Sequence, residues 1–289
     1  MAYDSVESVI DGLRSDDATL RLIRDRALKT SAIGKIRPGQ NFTQPSIRGT
    51  VPGARLTAVA HATGSNKTVA SGILTTVNFQ VRPVALVVPI DNDLWVSADD
   101  LQQAVISTLA EGIAVGLDNE MINNPNSVFT GSIVASATAA SNVVTSTAYL
   151  YNDMSDTFDA VQDTYYTVDG VIGRRGDLGA LRLAVPSGQT MFMPLFDASP
   201  EGSTVFGQPL ETVDGRVLPK TGSGSEVRFV VGDWTQLYWG TYGPMRIKLF
   251  DQATIGAYNA ASQDLTLVVA EISLGFQVVN DAAFALLTE

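Results

Sequence analysis

The 289-residue chain contains no cysteine. Disulfide stapling, thiolate catalysis and cysteine metal sites are therefore excluded, and any durability must come from elsewhere. A single histidine, His61, stands apart from any second ligand type, which is a weak basis for catalysis or metal binding. Charged residues make up only 17% of the chain, below the usual quarter, while 45% of it is hydrophobic. Either much of the surface ends against other protein chains, or the domain is simply rich in Ser, Thr and Ala. No window approaches the ~18 unbroken apolar residues of a membrane span. No N-terminal stretch has the charged-then-apolar layout of a signal peptide. Folding in a cytoplasm, with no membrane partner, is the expectation. Phosphate-cradling glycine loops of the Walker and dinucleotide types are missing too. The acids are numerous but scattered, and Asp91 with Asp93, and Asp99 with Asp100, read as corner and cap residues rather than an acid/base pair. No cofactor, metal site or catalytic residue is expected, and the chain does not read as an enzyme.

The net charge is −11. That argues against wrapping nucleic acid along the whole chain, because phosphate affinity comes from clustered Lys and Arg. It leaves room for living beside DNA, since a container wall must not bind its contents tightly. The bases are uneven: Arg21, Arg24, Arg26, Lys29, Lys35, Arg37 and Arg48 share one early segment in which Asp25 is the only acid. This segment is either a solvated helix face with a basic last turn or a contact for an acidic neighbouring subunit or packaged nucleic acid.

The most informative stretch is 84–123. A short apolar strand over 84–90 runs into an acidic corner, and a helix then starts at a Ser97 cap with Asp99 and Asp100 in its first turn. Ile106, Leu109, Ile113, Leu117 and Met121 form one apolar stripe. From 99 to 123 such a helix is ~37 Å long, about twice the usual length, and helices of that length tend to be struts. An architectural protein is the first expectation.

Elsewhere the pattern predicts an arm over 1–46, with a short helix over 4–10 and a second, capped by Ser15, using Leu20, Ile23 and Ala27 as its apolar edge. Residues 47–83 read as a long hairpin. Val77, Phe79 and Val81 alternate with polar residues on one limb, 55–62 forms the other, and 63–68 makes a polar tip. An isolated hairpin is marginal in water, so this one needs a partner surface. Residues 126–150, small and β-branched, read as a surface insertion or an extra strand pair. A helix over 153–166 carries Met154, Phe158 and Val161. Strands are expected over 181–185, 191–195, 227–231 and 236–239, a turn-rich stretch over 202–217, a flexible loop over 221–225, and strands again over 245–289. The aromatics Trp234, Tyr238, Trp239 and Tyr242 fit either ligand stacking or core and interface packing.

Four features together resemble the major capsid proteins of tailed bacteriophages, whose HK-ninety-seven-like fold is shared with encapsulin shells. The Val87-Val-Pro-Ile90 strand leads into a helix ending Leu109-Ala-Glu-Gly-Ile-Ala-Val-Gly-Leu-Asp118, similar to the family's spine helix. Phe206-Gly-Gln-Pro-Leu210 resembles its G-x-P turn. Val231-Gly-Asp-Trp234, then Tyr238, Gly243 and 247–250, resembles its glycine–acid–aromatic run before a long strand. The stretch 265–284 resembles its closing strands. The similarity spans most of 47–289 and rests on order and spacing.

The resemblance implies an α+β fold with an N-terminal arm (1–46) reaching neighbouring subunits and an extended hairpin loop (47–83) over an adjacent one. It further implies a peripheral domain with the spine helix (84–150 and 245–289) and an axial domain (151–244). Gly112 and Gly116 would let the spine helix bend or pack closely. The implied function is a subunit of an icosahedral shell around the double-stranded DNA of a tailed phage, built from pentamers and hexamers and assembled in the host cytoplasm into a virion. DNA is enclosed without sequence-specific binding, and there is room for separate scaffolding, portal and decoration proteins. Longer members carry an N-terminal scaffolding segment that a protease removes. With about 46 residues before the hairpin, an unprocessed subunit is expected. Some members join a loop Lys to an Asn with a nearby Glu as base. Lys67, beside Asn66 at the tip, and Glu271 match two of these, but Asp264 stands where the Asn belongs, which makes crosslinking a harder reaction. The contact candidates are therefore Arg21, Arg24, Arg26, Asn66, Lys67, Asp264 and Glu271. Two alternatives are an encapsulin-type compartment enclosing a cargo enzyme, and an independent enzyme or carbohydrate-binding module using the 234–242 aromatics.

Overall fold

The computed structural model describes residues 17–52, 74–92, 98–124, 129, 131–184, 196–199, 202–221 and 225–289. Its longest elements lie together. Strands β11 (Leu237–Phe250) and β14 (Leu265–Val278), of 14 residues each, pair antiparallel. β4 (Arg82–Asp91) adds antiparallel to the far side of β14, and β1 (Gln40–Phe42) adds parallel to β11, giving the order β1-β11-β14-β4. The β11–β14 register shifts between Tyr242 and Arg246, where Gly243 takes φ +69° and Pro244 follows, a bulge that bends the strand. β12 (Thr254–Ile255), β13 (Tyr258–Asn259) and the short helix α7 (Ala260–Gln263) make the turn between the two long strands.

Helix α3 (Ala98–Ile122) packs against β4 and β14. Its 25 residues fit the expected strut. The expected stripe is buried, and so is a second row, Ala110, Ala114, Asp118 and Ile122. Two adjacent rows make a wide buried arc, which a helix between a sheet and another helix requires. A Cβ on Gly112 would lie 2.5 Å from Leu86 Cδ2, and one on Gly116 3.5 Å from Val84 Cγ1, so the helix sits close on β4 at Gly112 in particular. The Ser97 cap lies outside the described residues.

The described part of the expected arm is docked on its own chain. α1 (Asp17–Thr30) buries Ile23 and Ala27 against α3, and α2 (Ala32–Ile36) reaches strands β6 (Gly170–Arg174) and β9 (Gln208–Val213). The Trp239 indole N–H donates to the Arg37 carbonyl at 2.8 Å, fixing the chain just before β1. β2 (Ser46–Pro52) and β3 (Leu74–Gln80) form the hairpin, with Ile47 opposite Phe79 and Gly49 opposite Val77. The limb opposite Val77 is thus 46–52 rather than the expected 55–62. Those residues, His61 and the tip with Asn66 and Lys67 lie outside the described residues.

The second sheet has seven short strands in the order β5-β15-β10-β6-β9-β8-β7. They are β5 (Val143–Thr145), β6 (Gly170–Arg174), β7 (Phe196–Ser199), β8 (Gly202–Val205), β9 (Gln208–Val213), β10 (Val227–Gly232) and β15 (Phe284–Thr288). The sheet is mixed: β6–β9 and β15–β5 are parallel, the other pairs antiparallel. Both faces are covered. Ile172, Val230 and Leu286 face the core shared with α1, α2 and α3, while Val171, Phe229 and Val231 face α5 (Leu150–Gln162) and α6 (Leu178–Arg182).

Three expectations change. Residues 178–182 form α6, not a strand, with Leu181 buried under α5. Residues 202–213 are two strands, because the turn at Phe206-Gly207 is only two residues wide. Residues 131–150, the described part of the expected insertion, are built into the fold: Ser132 caps helix α4 (Ile133–Ala139), whose Ile133 and Ala137 are fully buried, and β5 extends the sheet. A cap and a run of alanines there outweigh the β-branched residues. The chain also crosses between the sheets at two stacked turns, Trp234–Gln236 and Asp281–Ala283, where the Asp233 N–H donates to the Ala283 carbonyl at 2.9 Å. Hence β15 joins the seven-stranded sheet although 245–289 is grouped with the spine helix by sequence, and β11 starts before 245.

Candidate assembly surfaces

The two described crosslink candidates are each occupied within the subunit. Asp264 ends α7 in the left-handed region at φ +50°, and its carboxylate accepts from the Asn92 amide at 3.0 Å. Glu271, opposite Arg246 in the β14 ladder, is paired with Lys248 at 3.0 Å. Along an extended strand the two acids are ~23 Å apart, so one subunit does not bring them together.

The basic segment is the outward side of α1. Arg21 pairs with Asp17 at 2.6 Å with both side chains mostly exposed, and Arg24 chelates Asp25 at 3.0 Å. Such pairs hold little energy. Arg26 and Lys29 are exposed, and between Arg21 and Arg26 the aliphatic Leu22 is 57% exposed. Leu22, Arg26 and Lys29 follow at i, i+4 and i+7, which places them on one stripe. Lys35 leaves this face and pairs with Glu211 of β9 at 2.9 Å.

Two buried polar joints hold the elements in register. Asp118 of α3 accepts from the Ser31 hydroxyl at 2.5 Å, the Ala32 N–H at 2.9 Å and the Ile33 N–H at 3.3 Å, so the spine helix caps α2. Burial pushes its carboxyl above the usual range, against the lowering effect of those three bonds and of Lys35. At the end of β6, Arg174 pairs with Asp177 at 2.7 Å and with Glu289 at 2.6 Å, and Arg228 meets Asp177 at 3.4 Å. From the sequence Asp118 stands only as the last residue of the spine-helix segment, and Arg174 was missed. The signal for the first was its place in the every-fourth-residue row with Ala110, Ala114 and Ile122. For the second it was Arg and Asp three apart after an apolar strand.

A groove of about 690 Å³ runs between α5 and the β8–β9 turn, lined by Phe158, Asp159, Gln162, Tyr165 and Phe206 among others. Phe206 lines it half-buried, edge-on to Tyr151 and Phe158 at 5.3 and 5.2 Å. Tyr165 stands at its rim. The Tyr165 N–H donates to the Gln162 carbonyl and the Tyr166 N–H to the Val161 carbonyl, the paired bonds of a Schellman helix end. Tyr165 therefore occupies the left-handed position, φ +66°, where glycine is usual. That backbone costs a tyrosine about 1–2 kcal/mol, yet the residue is 79% exposed.

With this geometry, comparison with known proteins is decisive. The model of the phage capsid family matches residues 20–288. The chain belongs to the phage capsid family. Similar solved structures include a chain of Microbacterium phage Oxtober96, at 20% identity and TM-score 0.67 over 89% of this chain and 90% of that one. A chain of Mycobacterium phage Ogopogo gives 18% and 0.65 over 89% and 91%. A chain of the capsid of a native GTA particle gives 15% and 0.61 over 91% and 90%. These likenesses establish the α+β, HK-ninety-seven-like fold. No curated protein matches the chain.

As a capsid shell subunit the molecule is a structural protein, and its aromatics fit that. Trp234 and Trp239 are buried, the former edge-on to Phe284 at 5.2 Å, and Tyr238 stacks on Phe42 at 6.4 Å. The 234–242 cluster is taken up in packing, with Tyr238 and Tyr242 half-buried beside Phe42. None of the similarities points to a cargo compartment. Among the described residues no three His, Asp or Glu side chains converge as a metal site, and no helix is long and apolar enough to cross a membrane.

Proposed function

We propose that copies of this subunit assemble, in the host cytoplasm, into pentamers and hexamers that close as an icosahedral shell around packaged double-stranded DNA, the virion of a tailed phage. In this reading the four-stranded sheet with α3 is the peripheral unit. The seven-stranded sheet is the axial unit at the five- and six-fold positions. The β2–β3 hairpin extends over an adjacent subunit. The role is mechanical and non-catalytic. Contacts between subunits are non-covalent in this reading, since Asp264 stands where the crosslinking Asn would be.

The observation that carries this is the pairing of a 25-residue helix with two 14-residue strands in a chain matched by the capsid family over 20–288. Such a strut spreads load across a thin wall, and many modest interfaces acting together give the wall its strength. Negative-stain microscopy of the chain expressed alone tests it. Closed shells or capsomer rings are expected, and denaturing electrophoresis of them should return a single subunit band. Small uniform particles at every concentration would count against self-assembly, and a ladder of bands against non-covalent joints.

A further inference from the structure

Among the described residues the Tyr165 side chain and the Leu22–Arg26–Lys29 stripe of α1 are paired with nothing in the subunit, although Arg26 also borders a cleft with Glu111 and Asp214, and the two surfaces are complementary. The groove offers an aromatic lining, Phe158 and Phe206, an exposed phenol ring at the rim, and the Asp159 carboxylate, with no base among its lining residues. The α1 stripe offers one exposed aliphatic group, Leu22, followed by two cations, Arg26 and Lys29. The two surfaces lie on opposite sides of the seven-stranded sheet. α5 covers the face bearing Val171, Phe229 and Val231, whereas α1 and α2 share the core on the face bearing Ile172 and Val230. They cannot meet within one molecule, but they can meet between two.

We propose that the α5 groove receives the Leu22–Arg26–Lys29 stripe of α1 from a second copy of the chain, in a head-to-tail contact. This rests on the shell-subunit reading and adds to it the surfaces that touch. A contact between two different patches repeats from copy to copy and closes rings when the rotation allows. Leu22 would enter the aromatic lining, with Tyr165 folding over it, while Arg26 and Lys29 meet Asp159 at the rim. The opposite charges steer the encounter and set its register. Tyr165 explains itself this way: a ring kept where glycine would be easier on the backbone has its use outside the chain.

The test uses the full chain, with the assembled fraction read by sedimentation velocity and subunit folding by thermal unfolding. Tyr165→Gly should keep or raise the unfolding midpoint, since it relieves the left-handed backbone, while lowering assembly by about tenfold. A residue that served only the fold would show the reverse. Asp159→Arg and Arg26→Asp should each lower assembly by at least about tenfold, and the two together in one chain should restore it. If the wild type assembles and the three single variants assemble equally well, the contact is overturned and the shell reading stands. A double variant no better than the singles overturns the pairing. Variants that assemble normally but lose affinity for a double-stranded DNA fragment would assign the α1 stripe to DNA and also overturn it. A wild type monomeric at every concentration overturns both readings.

Discussion

The two sheets solve the same stability problem differently. In the spine half, two 14-residue strands and a 25-residue helix bury long continuous contacts, and the ladder charges, such as Lys248 with Glu271, stay near the surface. In the seven-stranded half, strands of 3–6 residues cannot bury much each. Their ends are tied by buried charge, Arg174 to Asp177 and Glu289, with Arg228 beside them. Long elements hold by area; short ones need side-chain tethers.

The largest test of that contrast replaces one cation in each half. Arg174→Met would leave Asp177 and Glu289 without their main partner in a site where the arginine side chain is 4% exposed. Breaking a buried pair this way costs about 3–5 kcal/mol; Arg228 and Lys220 remain nearby, so a loss of about 3 kcal/mol is expected. Lys248→Met in the β11–β14 ladder should cost under about 1 kcal/mol. Urea unfolding of the two variants decides it. Equal losses would mean that the ionic network is incidental to the short-stranded half.

A smaller effect probes the joint between the halves. Asp118→Asn removes a charge and sets its amide N–H2 either against the Ala32 N–H, which Oδ2 now accepts, or against the Ser31 hydroxyl and Ile33 N–H, which Oδ1 accepts, a loss of about 2 kcal/mol. The pH dependence carries a distinct sign. The folded pKa of Asp118 is raised above 3.8, so its titration favours the folded state most below the unfolded value, and that contribution is lost as pH rises through the folded value. Asp214 is the opposite case: the Arg216 hydrogen bonds hold it at about 2, so its contribution is present above 3.8 and lost as pH falls toward 2. That contribution is under about 1 kcal/mol, because Arg216 is largely exposed. Comparing unfolding of wild type and Asp118→Asn across pH 3–7, the wild-type advantage should shrink as pH rises. An advantage that grows with pH would refute the assignment.

The same contrast explains what could be read from the sequence. The spine helix announced itself through Ile106, Leu109, Ile113, Leu117 and Met121, and the strands over 227–231 and within 245–289 through apolar runs or alternation. The α+β class and the capsid resemblance followed. The seven-stranded sheet was harder to read. Its central strand β6 is buried at every position, which erases alternation, and Leu178–Arg182 is too short for helical periodicity to separate it from a strand. Domain boundaries drawn as sequence intervals met a chain that changes sheets at Asp233 and again at Asp281. Of the site residues, the early arginines were recognised as a group because charge is visible in composition. The groove was not, because it forms only when Phe206 of one turn reaches Phe158 of a helix, and nothing in the local sequence reports that meeting.

The finest test separates two glycines one helical turn apart on the spine. Replacing a helix-interior glycine by alanine gains about 1 kcal/mol of helix propensity when there is room for the methyl group. At Gly116 there is room: the added Cβ would lie 3.5 Å from Val84, an ordinary contact. Gly116→Ala should therefore stabilise the subunit by about 0.5–1 kcal/mol. At Gly112 the same methyl would lie 2.5 Å from Leu86 Cδ2. Leu86 must turn away or β4 must shift, and the overpacking cost of about 1 kcal/mol or more cancels the gain. Thermal unfolding should rank Gly116→Ala above wild type and Gly112→Ala level with it or below. If both variants gained equally, close approach of helix to strand would not be what Gly112 provides, and the spine half would tolerate more slack than its long contacts suggest.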